Sequence, residues 1–282
     1  MRAIIILVSL LALVGGGCGG TESSNAGGRT TVVASFYPLA FAAQAIGGDK
    51  VDVSNLTPTG AEPHDLEVSP RDVAELRAAD LVLLLGHGFQ PQLEEAAGGG
   101  ADVLKLLDTP GLDRFPNGDP HVWLDPQRYA LIVRRIGNAL HESGSTQRLI
   151  ARLRALDREF HRGLAQCARR EIVTSHEAFA YLAERYKLRQ VAITGLSPEA
   201  EPSPRGLRRV IELVRKTHAT TIFFETLVSP RIAETVARET GAETAVLNPI
   251  EGLTPAEQRL GEDYFSLMRT NLAHLRTGLG CR

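Results

Sequence analysis

The chain has 282 residues, of which 43% are apolar and 23% charged; this is a globular composition that excludes a disordered or collagen-like chain. Its 31 Lys and Arg residues nearly balance 33 Asp and Glu residues, and the formal net charge of −2 excludes nucleic acid and anionic lipid as default partners. Aromatic residues make up only 5% of the chain, which argues against an aromatic sugar-binding platform, and the length suits about two domains.

The first segment is predicted to be an export signal rather than part of the fold. Residues 3–14 form an apolar run that is shorter than the about 20 residues needed to span a bilayer. Three glycines and Cys18 follow, a pattern similar to a bacterial lipoprotein processing site, although Gly15 stands where such sites usually carry leucine. We expect a signal peptide over 1–17, a lipidated Cys18 and a flexible tether over 18–29. Ordinary secretion with an incidental cysteine is the alternative.

From residue 30 onward, short β-rich runs alternate with helical stretches, which predicts an α/β lobe over 30–144. The continuous apolar run LVLLL (81–85) is typical of a central parallel strand covered on both faces. Gly144 is expected to end the last helix of this lobe. The expected strands cover 31–36, 51–56, 81–85 and 101–107, and the expected helices cover 38–46, 69–79, 92–97 and 127–143.

A long, charged, amphipathic stretch over 145–166 predicts a helix that links two lobes, with an ordinary surface helix as the alternative. The strand–helix alternation then resumes over 167–282. We therefore expect an α/β fold of two lobes, each with a mostly parallel sheet flanked by helices. The expected strands of the second lobe cover 171–175, 190–194, 220–225 and 243–247, and its helices cover 178–186, 203–216, 229–240 and 262–275.

Export also bears on the two remaining cysteines, Cys167 and Cys281. Thiols outside the cytoplasm tend to oxidise, so we expect these two to form a disulfide, with two free thiols as the alternative. Closing so long a loop stabilises a fold by about 4–5 kcal/mol in the chain-entropy model.

Three of the eight histidines follow a strand or enter a helix from a loop: His64 in AEPHDLEV, His121 in GDPHVWLDP and His176 in VTSHEAFAYL. The carboxyl ends of strands in open α/β sheets form the crevice where ligands bind. We therefore expect the first two side chains to meet the third between the lobes. The other five histidines, which lie beside helical or surface stretches, carry no such expectation: His87, His141, His161, His218 and His274.

Three converging neutral imidazoles suit a borderline-soft dication such as Zn²⁺, which needs a fourth ligand to complete a tetrahedron. Glu251, in LNPIEGLT after the last strand, has the right topological position. Glu225 and Glu62 are the alternatives. Neither CxxC nor HExxH is present, so spacing alone is a weak signal, and each histidine also has an ordinary explanation as a cap or a hydrogen-bonded core residue.

The chain resembles the zinc/manganese solute-binding lipoproteins of bacterial ABC importers, and the resemblance covers residues 31–282. It rests on VVASFYPLAFAAQAIGGDKVDVSNLTPTGAEPHDLEVSPRDVAELRAADLVLLLG, DPHVWLDP, VTSHEAFAYLAERY, GLSPEAEPSPRGL and LNPIEGLT followed by DYFSLMRTNLAHL. The resemblance implies two α/β lobes joined by a rigid helix, with the metal held between them by His64, His121, His176 and Glu251. Three histidines and one carboxylate are similar to the zinc branch, so manganese is the less favoured ion.

The resemblance implies reversible capture of Zn²⁺ outside the cytoplasm by a monomer anchored to the cell membrane or free in the periplasm, delivery to an ABC permease, and no catalysis. Asp65, Asp125 and Ser175 are candidates to orient the imidazoles through their second nitrogen. One departure is the segment DTPGLDRFPNGDP, because many zinc-specific relatives carry a long His-rich loop there. An adhesin or scaffold with an incidental metal, and a zinc hydrolase, are the alternatives from other classes.

Overall fold

The computed structural model describes residues 28–98, 101–113 and 117–282. The expected signal peptide, Cys18 and most of the tether lie outside the described residues. Among the described residues, the model has no helix with the length and apolarity needed to cross a membrane.

The N-terminal lobe contains a sheet of four parallel strands in the order β2-β1-β3-β4. Its strands are β1 (Thr30–Ala34), β2 (Val51–Asn55), β3 (Leu81–Leu84) and β4 (Asp102–Lys105). Strand β3 is buried along its whole length, as its apolar run predicts. The helices are α1 (Tyr37–Gly47), α2 (Pro70–Ala78), α3 (Pro91–Ala96) and α4 (Pro126–Ala139). Each of these four helices carries a proline in its first turn, where the missing N–H costs nothing.

The C-terminal lobe repeats the same topology, with four parallel strands in the order β6-β5-β7-β8. Its strands are β5 (Glu171–Thr174), β6 (Arg189–Ala192), β7 (Thr221–Phe224) and β8 (Glu243–Val246). Its helices are α6 (Ala180–Arg185), α7 (Pro204–Thr217), α8 (Arg231–Thr240), α9 (Pro255–Leu260) and α10 (Tyr264–Leu279). Sequence analysis did not predict the short α9, although Thr254 and Glu257 form a reciprocal capping box at its start.

The linking helix α5 (Ser143–Gly163) begins two residues earlier and ends three residues earlier than expected. Gly144 was expected to end the preceding helix, but it lies in the first turn of α5. The chain reverses instead at His141, whose φ of 55° is left-handed. Gly137 allows α4 to approach α5 closely, because a Cβ at this position would meet Thr146 Oγ1 at 1.9 Å.

One apolar core joins the two lobes. The buried side chains of α1, α4, α5, α6 and α10 form a continuous cluster that includes Leu153, Phe160, Tyr181 and Met268. Two smaller clusters cover the outer faces of the sheets, around Val82 in the first lobe and Ile222 in the second. Because the central core is shared, the lobes form one packed unit whose facing sheet edges hold the candidate site.

Candidate metal centre

The first candidate ligand, His64, lies in a short 3-10 turn (Pro63–Asp65) in the segment that follows β2. Glu62 caps this turn by accepting the backbone N–H of His64 at 3.1 Å. The His64 ring packs edge-on against Phe89, with ring centroids 4.7 Å apart. Its side chain is 12% exposed, so this imidazole forms the solvent side of the site.

The second candidate, His121, is completely buried in the loop that precedes the 3-10 turn Val122–Leu124. Asp119 contacts both the backbone and the ring of His121. Its Oδ1 accepts the backbone N–H of His121 at 2.9 Å and lies 2.7 Å from the ring atom Nδ1. The Nε2 atom of the same ring is thereby directed toward the cleft.

The third candidate, His176, follows β5 in the C-terminal lobe and is also completely buried. Its Nδ1 lies 2.6 Å from Oε1 of Glu225, the residue directly after β7. The Ser175 hydroxyl donates to the same carboxylate oxygen. The Glu225 carboxylate thus lies beside this ring as Asp119 lies beside His121, but it forms no hydrogen bond with His176 Nδ1, whereas Asp119 does with His121.

The fourth candidate, Glu251, follows β8 and is completely buried. The turn that presents it includes Ile250, whose φ of 58° is unusual for a β-branched residue. Asn248 holds this turn by accepting the backbone N–H of Ile250 at 2.7 Å, and the Asn271 amide donates to the Asn248 carbonyl at 2.7 Å. The strained turn is therefore fixed by a buried amide pair.

The structure brings all four side chains to one point, and one ligand atom from each lies within 4.8 Å of those of the others. Glu251 Oε1 is 3.2 Å from His64 Nε2, 3.0 Å from His121 Nε2 and 3.9 Å from His176 Nε2. Glu251 Oε2 is buried without a hydrogen-bond partner. Three imidazole nitrogens and one carboxylate are a donor set that Zn²⁺ accepts in tetrahedral geometry.

The pKa values of the buried Glu251 and the partly buried Glu62 are shifted in opposite directions. Burial would raise the pKa of Glu251, but hydrogen bonds with His121 and His64 hold this pKa well below its usual range. Burial, followed by the charge of Glu251, raises the pKa of Glu62 to about 9. At neutral pH, Glu251 is therefore ionised and Glu62 is protonated.

The pKa of His121 responds to the same two kinds of effect. Burial favours its neutral ring, but hydrogen bonds to Asp119 and Glu251 outweigh burial and raise its pKa to about 9. His121 is therefore protonated at neutral pH in the metal-free protein, and a metal ion must displace this proton to bind at Nε2.

A family model for the ZnuA family, described as zinc-uptake complex component A, periplasmic, matches residues 32–278. The chain belongs to this family. The zinc uptake system protein ZnuA of Bacillus subtilis is 31% identical, over 98% of this chain and 97% of its own length. The zinc-binding lipoprotein AdcA of Streptococcus pneumoniae is 34% identical over 96% of this chain, which spans only 60% of that relative's length.

Solved structures of similar proteins share the fold. The Zn(II)-bound ZnuA-like domain of S. pneumoniae AdcA has a TM-score of 0.77 and 35% identity, covering 89% of this chain and 99% of that domain. The laminin-binding protein Lmb of Streptococcus agalactiae, described as bifunctional with adhesin and metal transporting activity, has a TM-score of 0.79 and 31% identity. Its alignment covers 89% of this chain and 99% of Lmb. The expectation of two α/β lobes is confirmed.

The three residues expected to orient the imidazoles occupy different places in this ZnuA-family structure. Asp65 is exposed. Asp125 caps α4 through the Gln127 N–H at 2.8 Å and pairs with Arg128 at 2.7 Å. The Ser175 hydroxyl donates to Glu225, the carboxylate beside His176.

Two other carboxylates lie beside the rings, Asp119 hydrogen-bonded to His121 and Glu225 close to His176, and the sequence did not predict either contact. The sequence offers Glu225 as an alternative fourth ligand or as the general base of the hydrolase alternative. The signal for Asp119 was its place two residues before His121, from which its side chain can accept the backbone N–H of that residue.

The structure joins Cys167 and Cys281 in a disulfide across 114 residues of chain. Of the other histidines, His87 pairs with Asp108 at 2.7 Å, His161 lies 3.3 Å from Asp157, and His274 bonds the Val246 carbonyl. His87, His141 and His218 have positive φ and lie in turns. These histidines thus have structural roles outside the candidate centre.

Proposed function

We propose that this protein captures Zn²⁺ outside the cytoplasm and delivers it to an ABC-type permease. One observation carries the proposal: three imidazole Nε2 atoms and an ionised carboxylate, drawn from both lobes, converge in a buried pocket. Asp119 holds the His121 ring at Nδ1 and Glu225 lies 2.6 Å from Nδ1 of His176, so that both rings direct Nε2 toward the common centre. The similarity to relatives named as zinc-binding supports the choice of ion.

The donor set favours zinc over manganese, because imidazole suits Zn²⁺ whereas Mn²⁺ prefers oxygen ligands. It also favours binding over catalysis. A catalytic zinc site keeps one position open for water, whereas His64, His121, His176 and Glu251 complete a tetrahedral shell. We therefore propose a transport role without chemistry.

Metal analysis of purified protein tests the four proposed ligands. We expect about one zinc per wild-type chain, and loss of most of that metal in His64→Ala, His121→Ala, His176→Ala and Glu251→Ala. His87→Asn is the matched control, because His87 also pairs with a carboxylate but lies outside the centre. Wild-type metal content in all four ligand variants would contradict the proposed site.

Delivery to a permease is tested in cells by uptake of radioactive zinc under zinc limitation. We expect uptake to fall in His176→Ala at unchanged protein level.

A Cys18→Ser variant tests the proposed lipid anchor separately: we expect it to appear in the soluble extracytoplasmic fraction and to lose palmitate labelling.

Adhesion is a second candidate, favoured by the structural likeness to the laminin-binding protein Lmb. Binding of purified protein to immobilised laminin tests it. Saturable binding that persists in His176→Ala would support an adhesive role independent of the metal, and absence of binding would leave metal capture as the one proposed function.

A further inference from the structure

Each candidate ligand loop is joined across the interface between the lobes by a hydrogen bond to a backbone carbonyl. The Gly60 N–H donates to the Leu253 carbonyl at 2.8 Å, linking the His64 segment to the Glu251 segment. The Tyr181 hydroxyl donates to the Asp119 carbonyl at 3.0 Å, linking the helix after His176 to the His121 loop.

The third of these bonds comes from Trp123, the one tryptophan of the chain. Its indole Nε1–H donates to the Pro249 carbonyl at 2.8 Å, across 126 residues of sequence. Trp123 lies two residues after His121, and Pro249 lies two residues before Glu251. This bond thus spans the interface between two ligands that are themselves 3.0 Å apart.

Burial, ring packing and a second hydrogen bond fix the position of Trp123. It is 1% exposed, and its ring packs against Phe36 and His121 with centroids 4.9 Å and 5.2 Å away. Its own carbonyl accepts the Tyr264 hydroxyl from the C-terminal lobe at 2.6 Å. The residue is therefore fixed by both lobes and contacts one ligand directly.

We propose that Trp123 is a positioning residue that sets the distance between His121 and Glu251 and thereby the metal affinity of the site. This inference rests on the proposed zinc-binding function. Without the indole N–H, the buried Pro249 carbonyl loses its donor and the strained turn at Ile250 loses its link to the His121 loop. The metal must then supply the ordering that the hydrogen bond supplies in the wild type.

The experiment replaces the N–H while keeping the shape of the ring. Because the chain has a single tryptophan, expression in a tryptophan auxotroph with benzothienylalanine alters residue 123 alone and exchanges N–H for sulfur. Trp123→Phe is the genetic counterpart. Tyr129→Phe is the matched control, since it removes another buried donor to a proline carbonyl, that of Pro38 at 2.6 Å, and keeps the ring that packs on Tyr264.

We expect both Trp123 replacements to weaken zinc binding roughly tenfold in competition with a chelator, the lower end of the effect of outer partners of metal ligands. We also expect a shifted visible spectrum of the Co²⁺-loaded protein, which reports ligand geometry. Tyr129→Phe should lower the thermal midpoint of the metal-free protein by about as much as the Trp123 replacements do. It should leave the zinc affinity and the Co²⁺ spectrum unchanged.

Wild-type affinity and spectrum in both Trp123 replacements would overturn the inference. So would an equal loss of affinity in Tyr129→Phe, because the effect would then follow general stability. A wild-type protein that binds no zinc would instead refute the proposed function, so the two failures are distinguishable.

Discussion

Two buried carboxylates contact candidate histidine ligands at Nδ1, the ring nitrogen that does not face the common centre. Asp119 and Glu225 each lie within 2.7 Å of an imidazole Nδ1, one in each lobe. A carboxylate in this place fixes the ring orientation and makes Nε2 a stronger donor. The candidate site thus depends on acidic residues that do not themselves touch the common centre.

Replacing either carboxylate by its amide tests this dependence. We expect Asp119→Asn and Glu225→Gln to weaken zinc binding by roughly 10–100-fold, because an amide holds the ring less strongly and adds no basicity. Competition titration against a chelator measures the change. Asp108→Asn, beside His87, is the control that removes a histidine–carboxylate pair elsewhere, and affinity should not change. Unchanged affinity in both site variants would show that the carboxylates do not orient the ligands.

At the scale of elements, one side chain of the linking helix α5 forms hydrogen bonds with both lobes. Asp157 is buried, and its carboxylate accepts hydrogen bonds from Nε and Nη2 of Arg185 at 2.9 Å and 2.8 Å and from the Tyr186 hydroxyl at 3.2 Å. The Gln127 amide of the first lobe donates to it at 3.2 Å. Burial favours the neutral acid, but the Arg185 hydrogen bonds outweigh it and hold the pKa of Asp157 below its usual value.

We expect Asp157→Asn to lower the free energy of unfolding at pH 7 by about 1–3 kcal/mol, since hydrogen bonds to a charged group are lost. Because the folded-state pKa is depressed, this contribution is present above the unfolded-state pKa of about 4 and disappears as pH falls through the folded value. The difference between variant and wild type should therefore shrink in acid.

Urea unfolding at pH 7 and at about pH 3 measures this difference. Glu159→Gln is the control on the same helix, because its pair with Arg269 is more exposed and should contribute about 0–1 kcal/mol. A difference between Asp157→Asn and wild type that grows in acid would contradict the assigned sign.

At the scale of the whole molecule, the disulfide closes the second lobe by joining the chain shortly after α5 to the second residue after α10. We expect Cys167→Ser with Cys281→Ser to lower the free energy of unfolding by about 3–5 kcal/mol, because the open chain gains conformational entropy. Urea unfolding measures the loss. Reduced wild type should unfold at the same urea concentration as the double variant, and equal stability of oxidised and reduced protein would contradict the expectation.

The shared core and the hydrogen bonds between the lobes predict small motions on metal binding. A helix is stiffer than a loop hinge, and α5 packs into the core that both lobes share. We expect small-angle scattering of metal-free and zinc-loaded protein to give a monomer with nearly the same radius of gyration. A large compaction on loading would show that a hinge outside α5 controls closure.

Local patterns were sufficient to predict most of the elements. Proline and cap residues mark the helix starts, and apolar runs such as LVLLL mark the buried strands, because these signals act over a few residues. Helix ends were harder to predict. The left-handed turn at His141 moved the start of α5, and the short α9 was missed although Pro255 and the capping box of Thr254 and Glu257 mark its start.

The sequence by itself determined the two-lobe α/β architecture and the three loops that carry His64, His121 and His176, since strand ends and loop context are local. Only the tertiary structure decided that Glu225 meets His176 and that Trp123 bridges His121 to Glu251. These contacts depend on where separate strands and lobes meet, and no spacing along the chain encodes such a meeting.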